Sequence, residues 1–126
     1  MPMDADQQGQ IEQGVAGGAA VGRYQGTLKR ESDGATFLEA VQLGAATDTK
    51  QFVQIFSQLG GTIPPTPQFS GNATALGPIL FFQETDSVAT RKYIFLVFGS
   101  SMIEISTATY PDGRPDLKLT GVLKRQ

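Results

Sequence analysis

From residue 23 onward, apolar and polar positions alternate in short runs separated by turn residues, the pattern of half-buried strands. Tyr24–Glu31 and Ala35–Leu43 are two such runs, joined by Ser32-Asp33-Gly34. Asp-Gly between extended runs is a strong hairpin signal, because glycine accepts the positive φ that the turn needs. In the second run Phe37, Val41 and Leu43 share one face, interrupted by Glu39. Ile79–Glu84, Tyr93–Phe98, Met102–Thr109 and Leu117–Arg125 read as four more strands. The Tyr93–Phe98 run is apolar on both faces, as expected of a central strand covered on both sides. Tyr110-Pro111-Asp112-Gly113 has proline second and glycine last, the preference of a type I turn.

One segment breaks the alternation. Phe52, Ile55, Phe56 and Leu59 fall at i, i+3, i+4 and i+7, which predicts an amphipathic helix over 47–59. Thr47 or Asp48 is placed to cap it, and Gly60 stands where a helix-terminating glycine belongs. The stretch 60–77 follows as a long loop rich in proline and glycine, and loops of this length are commonly functional. The expected order is β-β-α-β-β-β-β. It describes an α+β domain of about six strands, a mainly antiparallel curved sheet or partly closed barrel packed on one helix.

Residues 1–22 read differently. Gln, Gly, Ala and Asp dominate, no periodic apolar face appears, and a flexible acidic tail is expected ahead of a single domain at 23–126. The tail carries Asp4, Asp6 and Glu12 without a basic residue, so the chain's net charge of −2 divides into −3 for the tail and +1 for the domain. The domain is not the strongly basic surface that nucleic acid attracts. No positively charged leader or long apolar span is visible, so the cytoplasm is the default compartment and no membrane partner is expected.

Composition narrows the chemistry further. The chain has no His and no Cys, which removes Ser-His and Cys-His nucleophile pairs, disulfides and ordinary zinc sites. It also lacks Gly-x-Gly, Gly-Lys and Ser-x-x-Lys, the cores of dinucleotide, phosphate-loop and lysine-assisted serine motifs. No catalytic residue, metal or cofactor is assigned. The carboxylates Glu39, Glu84 and Glu104 remain as acid/base candidates. Glu39 and Glu104 interrupt apolar strand patterns, so either half-burial or an outward position fits them.

Two binding features stand out. Gly26–Glu31 and Gly121–Gln126 share four of six residues, and pairing of these strands would gather Lys29, Arg30, Lys124 and Arg125 into a basic patch. In the long loop, Pro64, Pro65 and Pro67 with Phe69 make a candidate binding segment with a minimal Pro-x-x-Pro spacing. The expected function is non-enzymatic: a binding or assembly module. Its partner would be another protein or further copies of itself, because an open sheet exposes edges at Tyr24–Glu31 and Leu117–Arg125. Single-stranded nucleic acid is the alternative, with Arg91-Lys92-Tyr93-Ile94-Phe95 superficially resembling an RNA-binding strand. A small barrel enzyme using a buried carboxylate on an apolar substrate is the second alternative.

Overall fold

A computed structural model describes residues 21–59 and 61–126. It contains eight strands: β1 (Gly22–Arg30), β2 (Thr36–Ala46), β3 (Lys50–Leu59), β4 (Phe69–Leu76), β5 (Ile79–Thr85), β6 (Thr90–Phe98), β7 (Ser101–Thr109) and β8 (Leu117–Arg125). Each strand pairs antiparallel with the next, and β8 pairs with β1, so the sheet closes into an up-and-down barrel. Among the described residues there is no helix, and hence none long and apolar enough to cross a membrane. The described residues are all-β, not α+β, and form eight strands rather than six. The expected tail at 1–22 lies, for residues 1–20, outside the described residues.

The helix expected at 47–59 is strand β3. Val53 and Ile55 point inward beside Leu43 and Val41 of β2, and Gln51 lies in the same inward row. Phe52, on the other parity, remains 38% exposed. A stripe at i, i+3, i+4 and i+7 serves two periodicities when both faces of a strand carry large apolar groups. The β-branched Val53 and Ile55 with two phenylalanines then favour the extended form. Phe56 faces outward beneath the Arg23 guanidinium, 4.9 Å from its ring centre, which explains its burial without a helix.

Strand β4 was hidden inside the expected loop at 60–77 because its inward residues are small. Gly71, Ala73 and Ala75 follow Phe69 along the barrel wall, and a Cβ on Gly71 would stand 2.8 Å from the Phe82 ring. Large rings occupy the space these residues leave. Tyr93 stacks on Phe95 with centroids 5.8 Å apart, and touches Phe82 at 5.9 Å and Phe69 at 6.4 Å. Small residues opposite large ones are how a narrow barrel fills its interior.

Closure depends on the β1–β8 seam. A Cβ on Gly26 would lie 2.4 Å from the Val122 carbonyl oxygen, and one on Gly121 would lie 2.4 Å from that of Thr27. The two glycines therefore permit the close approach that joins the first and last strands. The edges expected to drive self-association are paired with each other, and that argument for assembly falls away.

The hairpin turns match expectation. Gly34 adopts φ 76° after Asp33, which accepts a hydrogen bond from the Ala35 amide, and the Gly113 amide donates to the Tyr110 carbonyl at 3.3 Å. The β6 strand differs from its reading as doubly covered. Tyr93, Phe95 and Val97 face inward, whereas Ile94 and Phe98 are exposed on an outer face shared with Phe81, Ile105 and Val122. Elsewhere the outer face carries Arg23, Gln25, Lys29, Gln42, Gln54 and Asn72. This is unlike the continuous apolar band of a lipid-embedded barrel.

Candidate functional site

The two ends of the barrel are built differently. At one end the interior is packed solid by Tyr24, Leu43, Val53, Leu80, Phe95, Met102 and Leu123. The Tyr24 hydroxyl donates to the Gly99 carbonyl at 3.0 Å, sealing that base. At the other end the apolar filling gives way to an open-mouthed cavity of about 200 Å³. Its walls are Phe37, Phe69, Tyr93, Ala108, Leu117 and Leu119, its polar interior is Glu39, Ser57 and Ser106, and Arg91, Gln68 and Tyr110 also line it. The connections through 61–68 and 110–116 both belong to this end.

Glu39 is 2% exposed and Glu104 fully buried. Each is placed by its strand register opposite a glycine: Glu39 faces Gly26 across the β1–β2 ladder, and Glu104 faces Gly121 across the β7–β8 ladder. Burial pushes the Glu39 carboxyl well above the usual carboxylate range, and repulsion and hydrogen bonding from Glu104 push it further. Ser57 opposes this weakly. Burial raises Glu104 as well, while its hydrogen bond with Glu39 and the nearby Ser106 favour its ionised form.

The pair behaves as one unit. Glu39 Oε2 and both Glu104 oxygens find no donor while both groups are ionised, since a carboxylate only accepts. One proton, held on Glu39, turns it into a donor to Glu104 and leaves the pair with a single negative charge. Ser106 Oγ is also buried without a completed hydrogen bond. Burial, with the two glutamates, holds the Tyr93 phenol in its protonated form.

At the mouth, Arg91 donates to Asp86 at 2.8 Å and lies over the Phe69 ring at 4.9 Å. Asp86 accepts from the Val88 and Ala89 amides as well, and together these hold its carboxyl at about 2. Arg91 is therefore committed to its own partner rather than to the glutamate pair. Among the described residues, no cluster of three or more potential metal-binding side chains occurs.

The residues singled out from sequence divide. Phe69 lines the cavity, and Pro64, Pro65 and Pro67 lie in the connection leading to it, outside the lining. Lys29, Arg30, Lys124 and Arg125 do sit on paired strands. Because the pairing is antiparallel, Lys29 stands opposite Thr120 and Lys124 opposite Gln25. The two basic pairs are thereby separated by roughly 13 Å along the seam. Arg30 is bound to Asp33, Lys124 donates to Ser101, and Arg125 covers the Tyr24 ring at 5.9 Å. Tyr93 and Phe95 face inward, so they offer no platform for bases. Of the carboxylate candidates, Glu39 and Glu104 meet inside the barrel, whereas Glu84 is only half-buried opposite Arg91. Ser57, Ser106 and Tyr93 were not recognised as site residues. The polar interruption of an inward row, which marked Glu39 and Glu104, applies equally to the two serines.

No family model matches the chain, and no curated protein resembles it closely enough to count as a relative.

Proposed function

We propose that this barrel is a non-enzymatic binding module for one small, mostly apolar molecule that enters the open end with its polar head directed at Glu39. The supporting observation is the cavity itself. An apolar-walled space of about 200 Å³ ends on buried polar groups that lack partners. Eight-stranded barrels have interiors wide enough for side chains or for one small ligand, and here each outcome occupies one end. A cavity of about 150 Å³ accepts benzene, so the ligand is of the order of eight non-hydrogen atoms, with anything longer extending through the mouth.

Acid/base catalysis is the second reading, favoured by the proton held on Glu39 inside the cavity. It ranks below binding because the carboxyl is paired with Glu104 rather than isolated, and because the cavity is open to water. Saturation-transfer NMR against a set of single-ring fragments tests the binding reading. Bound fragments are expected to lose signal with the native protein and not with Ala108→Leu, which fills the mouth. Identical responses from both proteins would refute it.

A further inference from the structure

We propose that the ligand's polar head is an ammonium group, seated against Glu39 with Glu104 behind it; this rests on the binding reading above. The argument begins with charge. Two carboxyl groups face each other inside the barrel, and buried charges are normally paired with an opposite charge. Arg91 is the single basic side chain among the described residues lining the cavity, and it is committed at the mouth to Asp86. The interior therefore lacks a cation that its own residues do not supply.

Hydrogen-bonding capacity points the same way. Glu39 Oε2 and Ser106 Oγ are buried acceptors that complete no hydrogen bond, both residues line the cavity, and Ser106 is 5% exposed. An ammonium offers three donors and no acceptor, the complement of such a floor. The Tyr93 ring adds an aromatic wall, which attracts cations as well as apolar bodies, while Phe37 and Phe69 already carry Arg30 and Arg91. An anionic head would meet the carboxyl pair at close range in a low-dielectric space. Among the described residues no group of three or more His, Cys, Asp or Glu side chains gathers here, so the usual carboxylate-rich set for a hard metal ion does not form.

Binding should displace a proton. The ammonium keeps its own protons, and its charge favours ionisation of both carboxyls, so the proton shared by the pair passes to the buffer. The groups around Glu39 are Gly26 on β1, Ser57 on β3, Tyr93 on β6, and Glu104 and Ser106 on β7, with Glu84 and Arg91 nearer the mouth. Of these, the carboxyl pair is the unit whose ionisation an internal cation would change most. Affinity is expected to rise with pH as the pair becomes easier to ionise, until the amine itself loses its charge.

Isothermal titration calorimetry with benzylammonium chloride and with benzyl alcohol separates the possibilities, run in two buffers of different ionisation enthalpy. Benzylammonium should bind the native chain at least about tenfold more tightly than the alcohol and release protons. Glu39→Gln and Glu104→Gln should abolish that preference while leaving benzyl alcohol binding within about twofold. Both are near-isosteric changes that remove an acid from an interior, so the barrel should hold. Equal affinity for the two probes would overturn the ammonium assignment and leave the binding reading standing. Retention of the preference in both variants would overturn it too, by placing the cation elsewhere. Binding of neither probe, with no change in the resonances of Ser57, Tyr93 and Ser106, would overturn both readings.

Discussion

Replacing Glu39 by glutamine should change how stability depends on pH, and the sign follows from the buried pair. The folded chain holds a proton on Glu39 that the unfolded chain releases above about pH 4.5, because burial and Glu104 raise its proton affinity. Stability from this source is complete below the unfolded value and is lost as pH rises toward the folded one. While the folded chain keeps this proton and the unfolded chain has lost it, stability falls with pH, by at most about 1.4 kcal/mol per pH unit. Asp33 and Asp86, both held at about 2 by their arginines and by backbone amides, act in the opposite direction. Their contribution is present above the ordinary carboxylate range and is lost as pH falls toward about 2. The native protein should therefore be most stable on the acid side of neutrality. In Glu39→Gln the amide donates to Glu104 at every pH, so most of the loss above pH 5 should vanish. Urea unfolding followed by circular dichroism at four pH values measures the slope for both proteins. A native stability that is flat or rising between pH 5 and pH 7 would refute the reasoning.

Three further outcomes follow from the barrel. Ile55→Ala removes an inward side chain of β3 and should cost roughly 2–5 kcal/mol. Phe52→Ala, on the exposed face, should cost well under half as much; equal losses in denaturant unfolding would restore the helix over 47–59. Gly121→Ala forces a methyl toward the Thr27 carbonyl and the Leu28 side chain, and should destabilise by about 1–3 kcal/mol or prevent closure. Hydrogen exchange should find the paired amides of β1 and β8 protected to the same degree at low and high protein concentration. Protection that grows with concentration would mean that the seam forms between copies.

The hairpin at 31–35, the turn at 110–113 and the strands β1, β2, β5, β6, β7 and β8 were legible because local rules dictate them. Strand β3 was misread because Phe52, Ile55 and Phe56 satisfy two periodicities, and only the neighbours across the ladder decide between them. Strand β4 was missed because its inward Gly71, Ala73 and Ala75 are small to accommodate Phe82 and its aromatic neighbours, a relation between distant segments. Gly26 and Gly121 read as weak points in their strands, yet the same lack of a Cβ is what closure requires. For the site, Glu39 and Glu104 were visible as polar interruptions of apolar rows. That they meet each other follows from barrel closure, which local patterns do not encode.

The sealed base has a practical corollary for orientation. Gly22 begins β1 and Arg125 ends β8 at that base, where the Arg125 amide donates to the Ser100 carbonyl and the Gln126 amide to that of Arg23. Gly22 and Arg125 thus both stand opposite the mouth. A surface, a tag or a fused domain joined at Gly22 or after Arg125 hangs from the floor of the vessel and leaves its opening turned outward. Immobilisation at Gly22 or Arg125 should therefore preserve access for small molecules, whereas an insertion at 61–68 or 110–116 would stand in the doorway.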